Sequence, residues 1–295
     1  MRFFGLRSSL AIGVLVLVGC AATCWLSCSK SGSSPPVLGK MALRLPAEPP
    51  ASSGAEASPS ASAAPGASGE PGGPPPFNGT VAEALAEGCS TKIVEGLSRQ
   101  ILQEGNCIVE GAFEPVPPLP NVQLDDAVLP FLARPARDAL VRAAREHDGE
   151  ELRINSMVRT VAQQFLLYEW YKAGRCGISL AATPGSSNHE AGLAVDVASP
   201  ADWKRRLTHF GFRWLGKRDR WHFDYAGKQA KHFTGVGVEA FQRLWNRNHA
   251  DQELSESGEY DPETEAALRD SPANGFAIGS TCPPPAASGE ADAGG

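Results

Sequence analysis

Apolar residues between Thr80 and Gln103 return every three or four positions: Val81, Leu85, Ile93, Leu97 and Ile101. That spacing predicts helix, interrupted at Gly88-Cys89. Pro115 to Pro120 breaks the pattern. Pro135 is placed to open a second helix that runs to about Glu146 and stops at Asp148-Gly149. Leu152, Ile154 and Ser156 alternate with polar neighbours, as in a short strand. Thr160 and Gln163 are spaced as a capping box. The helix they start carries Val161, Phe165, Tyr168 and Tyr171 toward the core and ends at Gly174. Thr183-Pro184-Gly185-Ser186 is a turn. Beyond it, Leu193, Val195 and Val197 alternate with Ala194, Asp196 and Ala198, so a strand puts the branched residues on one face and Asp196 on the other. Ala201 to Phe210 reads as helix, stopped by Gly211. In a last strand Trp221, Phe223 and Tyr225 share one face, and His222 and Asp224 share the other.

Composition marks where this patterning stops. From about Ser29 to Asn78 the chain is almost wholly Pro, Ala, Ser and Gly with scattered charges. Such a stretch cannot bury enough apolar surface to offset its ordering entropy, so a disordered linker is expected, spanning about 40 Å as a random coil. Residues 283–295 read the same way. The remainder is long enough for one domain with a substantial core. The formal net charge is −6. Acids and bases are mixed and no basic block occurs, which argues against a nucleic-acid partner.

Arg2 and Arg7 precede an apolar run from Leu10 to Val18, the pattern of a secretory signal. The run is shorter than a spanning helix requires. It ends in Leu17-Val18-Gly19-Cys20, which resembles a bacterial lipobox. By that resemblance Cys20 is the lipidated first residue of an exported, membrane-anchored lipoprotein facing the cell wall or periplasm. An uncleaved signal anchor running on to Trp25 is the alternative. Seven cysteines are present. Without Cys20 the number is even, which permits disulfides in an oxidising compartment. Cys89 and Cys107 are candidates to hold the first helical segment together.

The chemistry concentrates in Ser187-Asn188-His189-Glu190-Ala191-Gly192-Leu193-Ala194-Val195-Asp196 and in Asp219-Arg220-Trp221-His222. A catalytic zinc site needs three protein ligands, an open position and a nearby carboxylate to accept a proton. A lone His more often packs or faces solvent, and His147, His209, His232 and His249 are read so. The joint pattern differs, because two strands, each apolar on one face, carry candidate ligands on the other.

Ser187, His189, Gly192, Ala194 and Asp196 reproduce an S-x-H-x-x-G-x-A-x-D motif, and Trp221-His222 reproduces its W-H partner. The stretch from about Val122 to Gly227 resembles the zinc D-alanyl-D-alanine carboxypeptidases of the VanY type, a family that also includes L-alanyl-D-glutamate endopeptidases. The resemblance implies an α+β fold of the DD-peptidase/Hedgehog-like kind, with a small antiparallel sheet carrying the zinc and helices packed behind it. It implies that His189, Asp196 and His222 bind Zn2+. It makes Asp219 the catalytic base and Arg159 the group that polarises the scissile carbonyl or holds substrate, with Ser187 at the substrate. The substrate implied is the peptide stem of peptidoglycan. Two departures stand out: Asp219 replaces the Glu usual in carboxypeptidases, as the endopeptidase branch also does, and Val158 replaces an aromatic residue. A non-catalytic module that binds wall peptides is the alternative from another class.

Phe241, Gln242 and Leu244, followed by Gly258, Thr264, Ala267 and Leu268, resemble one short helical peptidoglycan-binding repeat. The other reading is a pair of amphipathic helices packed on the catalytic domain. The expected division is a signal and lipobox over 1–20, a linker over 21–78 and a small helical segment over 79–120. The zinc domain then covers 121–235, the repeat-like helices 236–282 and the tail 283–295.

Overall fold

A computed structural model describes residues 77–227 and 230–282, without the side chains of 231 and 232. The signal sequence, Cys20, nearly all of the linker and the tail lie outside these residues, and so does the His232 side chain.

The first helical stretch is broken where Gly88-Cys89 indicates. Helix α1 (Val81–Ala84) starts with a capping box between Thr80 and Glu83. A 3-10 turn over Thr91–Val94 then leads into α2 (Glu95–Ile108), which outlasts the expected end at Gln103. Two short strands flank the proline-rich stretch, β1 (Glu114–Pro115) and β2 (Val122–Leu124), and β3 (Phe131–Leu132) follows. Helix α3 (Arg134–Arg145) carries Pro135 in its first turn, where its missing N–H costs no hydrogen bond. Strand β4 (Leu152–Ser156) buries Leu152 and Ile154 and exposes Arg153 and Asn155. Helix α4 (Val161–Lys172) has both halves of the Thr160–Gln163 capping box. Its core residue near the C-terminus is Trp170. Tyr171, expected to face the core, is exposed, because the buried stripe passes through Phe165, Leu166 and Trp170 and leaves position 171 on the outer side.

Strand β5 (Ala194–Val197) is followed by α5 (Pro200–His209), β6 (Phe212–Trp214) and β7 (His222–Tyr225). The last helices are α6 (Val236–Asn248) and α7 (Pro262–Asp270). The main sheet has the order β2-β4-β5-β7-β6, while β1 and β3 pair separately. All its pairings are antiparallel except β2 with β4 at one edge, which is parallel. The fold is α+β, as expected, with that one parallel pair added.

Two apolar cores result. One lies between the sheet and helices α3 and α5, with Ile154, Val195, Val197, Trp203 and Phe223 in it. The other is helical and joins α1, α2, α4, α6 and α7 through Leu97, Ile101, Phe165, Phe241 and Leu268. The segments before and after the sheet therefore share one interior. Gln242 sits inside it, donating to the Glu259 carbonyl and to Thr264 Oγ1 and accepting from the Gly258 N–H. Cys89 and Cys107 do not pair with each other. Each lies in a different part of the helical segment and reaches a distant partner: Cys89 bonds Cys176, and Cys107 bonds Cys282.

Candidate metal centre

The register of the central strands does the first part of the assembly. Asp196 on β5 stands directly across from His222 on β7, and Ser156 on β4 stands across from Asp196 on the other side. Because side chains alternate across a strand, Asp196 and His222 emerge on the same face. His189 reaches that face from the turn before β5. The turn is tied by Gly192 N–H to the His189 carbonyl and by Leu193 N–H to the Asn188 carbonyl. Gly192 has φ of +64°, and a Cβ there would stand 2.6 Å from the Ala133 backbone nitrogen. Only glycine fits both the left-handed backbone and that close approach.

Three donor atoms meet at the face. His189 Nε2 lies 3.2 Å from Asp196 Oδ1 and 3.1 Å from His222 Nδ1, and His222 Nδ1 lies 3.0 Å from Asp196 Oδ1. Neighbouring donors around a tetrahedral zinc with bonds of about 2.0–2.1 Å stand about 3.3 Å apart. The triangle is within a few tenths of an ångström of that edge length, so the donor set fits one small divalent ion.

The atoms behind the donors fix which nitrogen is free. His189 Nδ1 stands 2.6 Å from the Met157 carbonyl, which can only accept, so the proton belongs on Nδ1 and the lone pair on Nε2. His222 Nε2 stands 2.7 Å from Asp224 Oδ1, which likewise leaves Nδ1 as the ligand atom. Asp224 is itself held by Asn188 Nδ2 at 2.8 Å, with Arg213 at 3.5 Å. The second oxygen of Asp196 accepts from Arg159 at 2.9 Å. Asp224 and Asn188 were not singled out from the sequence. The shared strand face of His222 and Asp224 was the available signal for the first; nothing marked the second.

Electrostatics follow this packing. Burial lowers the pKa of His189, and the nearby Arg159 charge adds to that. Burial works against the charged form of His222 too, but hydrogen bonds to Asp196 and Asp224 outweigh it and raise the imidazole to about 9. Asp196 is held well below the carboxylate range: burial opposes its charge, and His189, His222 and Arg159 together overcome that. Glu190, next to His189, faces away from the cluster. Its carboxylate accepts from the Gly185 and Ser187 N–H groups, and burial raises its pKa to about 7.

The cluster opens into a cleft of about 840 Å³. Arg159, Ser187 and Asp219 all line it. Arg159, directly before the Thr160 cap of α4, is largely buried and turned into the site. Its guanidinium donates to Ser156 Oγ, Gln164 Oε1 and Asp196 Oδ2, three of five N–H groups. Ser187 Oγ accepts from the His189 N–H at 3.3 Å, which ties the hydroxyl to the turn. Asp219 follows the 3-10 turn Gly216–Arg218, and its Oδ1 accepts from the Trp221 N–H at 3.3 Å. Trp221 stands at the cleft, 38% exposed, instead of joining Phe223 in the core. His147 and His249 are packing residues: one bonds the Ala143 carbonyl and meets Trp203 edge-on, and the other stacks on Trp245. His209 lies edge-on to Phe210.

Residues 132–240 match the family model of VanY, described as D-alanyl-D-alanine carboxypeptidase. No curated protein matches the chain. The match begins in β3, ends within α6 and contains every donor of the cluster, so this part of the chain is similar to a VanY-type core domain.

Proposed function

We propose that this domain is a zinc-dependent carboxypeptidase that removes the last residue from peptide stems of peptidoglycan. The observation that carries the reading is the donor triangle of His189, Asp196 and His222, each atom freed and aimed by a partner behind it. Two neutral imidazoles and one carboxylate leave a divalent ion with net charge of about +1, and zinc held there supplies Lewis acidity to a water and a carbonyl oxygen.

The chain's own groups do the rest. Arg159 has two N–H groups beyond those bonded to Ser156, Gln164 and Asp196, and it lines the cleft. A guanidinium fixed in this way stabilises negative charge developing on the carbonyl oxygen without having to reorganise. Asp219 accepts the proton of the attacking water and passes it to the departing amine. Asp224 and Met157 keep the two imidazoles in the ligating tautomer.

Carboxypeptidase is favoured over endopeptidase by the charges on the cleft. Lys217, Arg218 and Arg220 line it beside Asp219 and have no ion-pair partner among the described residues. Arg220 lies over the Trp221 ring at 4.2 Å. A peptide with a free terminal carboxylate would find its counter-charge there. The Asp at 219, as in the endopeptidase branch, favours the second reading, cleavage inside the stem. Two disulfides fit an oxidising compartment, in keeping with an exported lipoprotein anchored through Cys20.

The test is mass analysis of defined stem peptides after incubation with the full chain. Loss of one C-terminal residue supports the carboxypeptidase and an internal cut supports the endopeptidase. Asp219→Asn should keep metal and lose turnover by about 100-fold or more. Stoichiometric zinc with no hydrolysis of any stem peptide would leave a binding module.

A further inference from the structure

One wall of the cleft has no regular secondary structure. After α4 the chain runs through Gly174, Cys176 and Gly177, all in the left-handed region with φ of 62°, 59° and 67°. Cys176 is the one non-glycine residue with positive φ among the described residues. An L-residue in that conformation costs about 1–2 kcal/mol, so surrounding contacts must hold it. The next residues, Ile178, Leu180, Ala181 and Ala182, line the cleft with Leu167. Leu180 is 58% exposed, an apolar side chain on a cleft that is also lined by the metal donors and by charged residues.

This wall is anchored at its two ends. At the far end Gln164 Nε2 donates to the Ala182 carbonyl at 2.8 Å. At the near end the anchor is the helical segment before the VanY-type match. Cys89 is bonded to Cys176, and the Leu85 carbonyl accepts from Arg175 at 3.1 Å and from Trp170 Nε1 at 3.2 Å. Between the ends, Ser179, Leu180 and Ala181 make no hydrogen bond among the described residues. The same segment reaches the cleft itself through Thr91, whose hydroxyl is 3.4 Å from Gln163 Nε2.

We propose that residues 178–182, held in place by residues 85–91, form an apolar subsite for the peptide substrate. In this arrangement Cys89 and Cys176 are positioning residues and Leu180 makes the contact. The proposal rests on the peptidase reading and gives the segment before the matched domain a part in substrate recognition. Small uncharged side chains of a stem peptide fit the Leu, Ile and Ala lining, where apolar contact removes surface of both partners from water.

The experiment uses the full chain with two variants, the double variant Cys89→Ser/Cys176→Ser and the single variant Leu180→Ser. The probe is a stem pentapeptide ending in D-alanyl-D-alanine. Zinc content, kcat, KM and calorimetric binding are measured. Both variants should raise KM and weaken binding roughly tenfold, as expected for losing one apolar contact in a pocket, with zinc content and kcat nearly unchanged. Leu180 is exposed, so its variant folds even if the double variant does not. Wild-type affinity retained in Leu180→Ser, or no binding of the peptide by the wild type, overturns the subsite. Binding without hydrolysis, weakened in the variants, upholds the subsite and removes the catalytic reading instead.

Discussion

The site turns on which proton each residue holds. Asp224 touches only the far nitrogen of His222, yet it decides that Nδ1 is free. Asp224→Asn should therefore lower zinc affinity about 10–100-fold while leaving the ligands in place, measured by competition with a chelating dye. The metal-free protein should also show a pH signature. His222 titrates near 9 in the fold against an ordinary 6.5, because its bonds to Asp196 and Asp224 outweigh burial. A base whose folded pKa is raised stabilises the fold fully below 6.5, and that contribution is lost as pH rises through 9. His189 is shifted the other way and acts at lower pH. Metal-free protein is thus expected to lose up to about 3 kcal/mol of unfolding free energy between pH 6.5 and 9.5, seen in denaturant titrations. A flat profile across that range would contradict the carboxylate sandwich around His222.

At the scale of elements, the His189 turn, which points this imidazole at the sheet, lies close against the end of β3. Gly192→Ala should destabilise the protein by about 1–3 kcal/mol and cost zinc affinity as well, since the left-handed backbone and the Ala133 contact at 2.6 Å both resist a methyl group. Thermal melting with and without zinc separates the two effects. The strands that carry Asp196 and His222 could be read from the sequence because each alternates large apolar residues, branched in β5 and aromatic in β7, with small or polar ones. Strands β1, β2 and β3 could not, being two or three residues long and set among prolines. No periodicity tells a parallel neighbour from an antiparallel one, so the β2–β4 pairing was invisible too. The disulfides join residues 87 and 175 positions apart, a matter of how helices dock and not of spacing. The donors His189, Asp196 and His222 were legible as a motif. Asn188 was not, because its use depends on the position of Asp224 across the sheet.

For the whole molecule, the helices at the two ends of the described chain close over one core. Glu104 on α2, 2% exposed, pairs with Arg247 on α6 at 3.0 Å, and Arg247 also donates to the Gly279 carbonyl. Arg247→Met leaves that carboxylate buried and unpaired, so a loss of about 3 kcal/mol in chemical denaturation is expected. The double change with Glu104→Leu should recover much of it. The apolar residues of the repeat-like stretch, Phe241, Leu244 and Leu268, are spent on this core. The most direct test of the central claim is the zinc content of the purified full chain and of His189→Ala and His222→Ala, by elemental mass spectrometry after dialysis. About one zinc per wild-type chain, lost in both variants, is the expected result; a wild type without metal, or variants that retain it, would contradict a centre built from these donors.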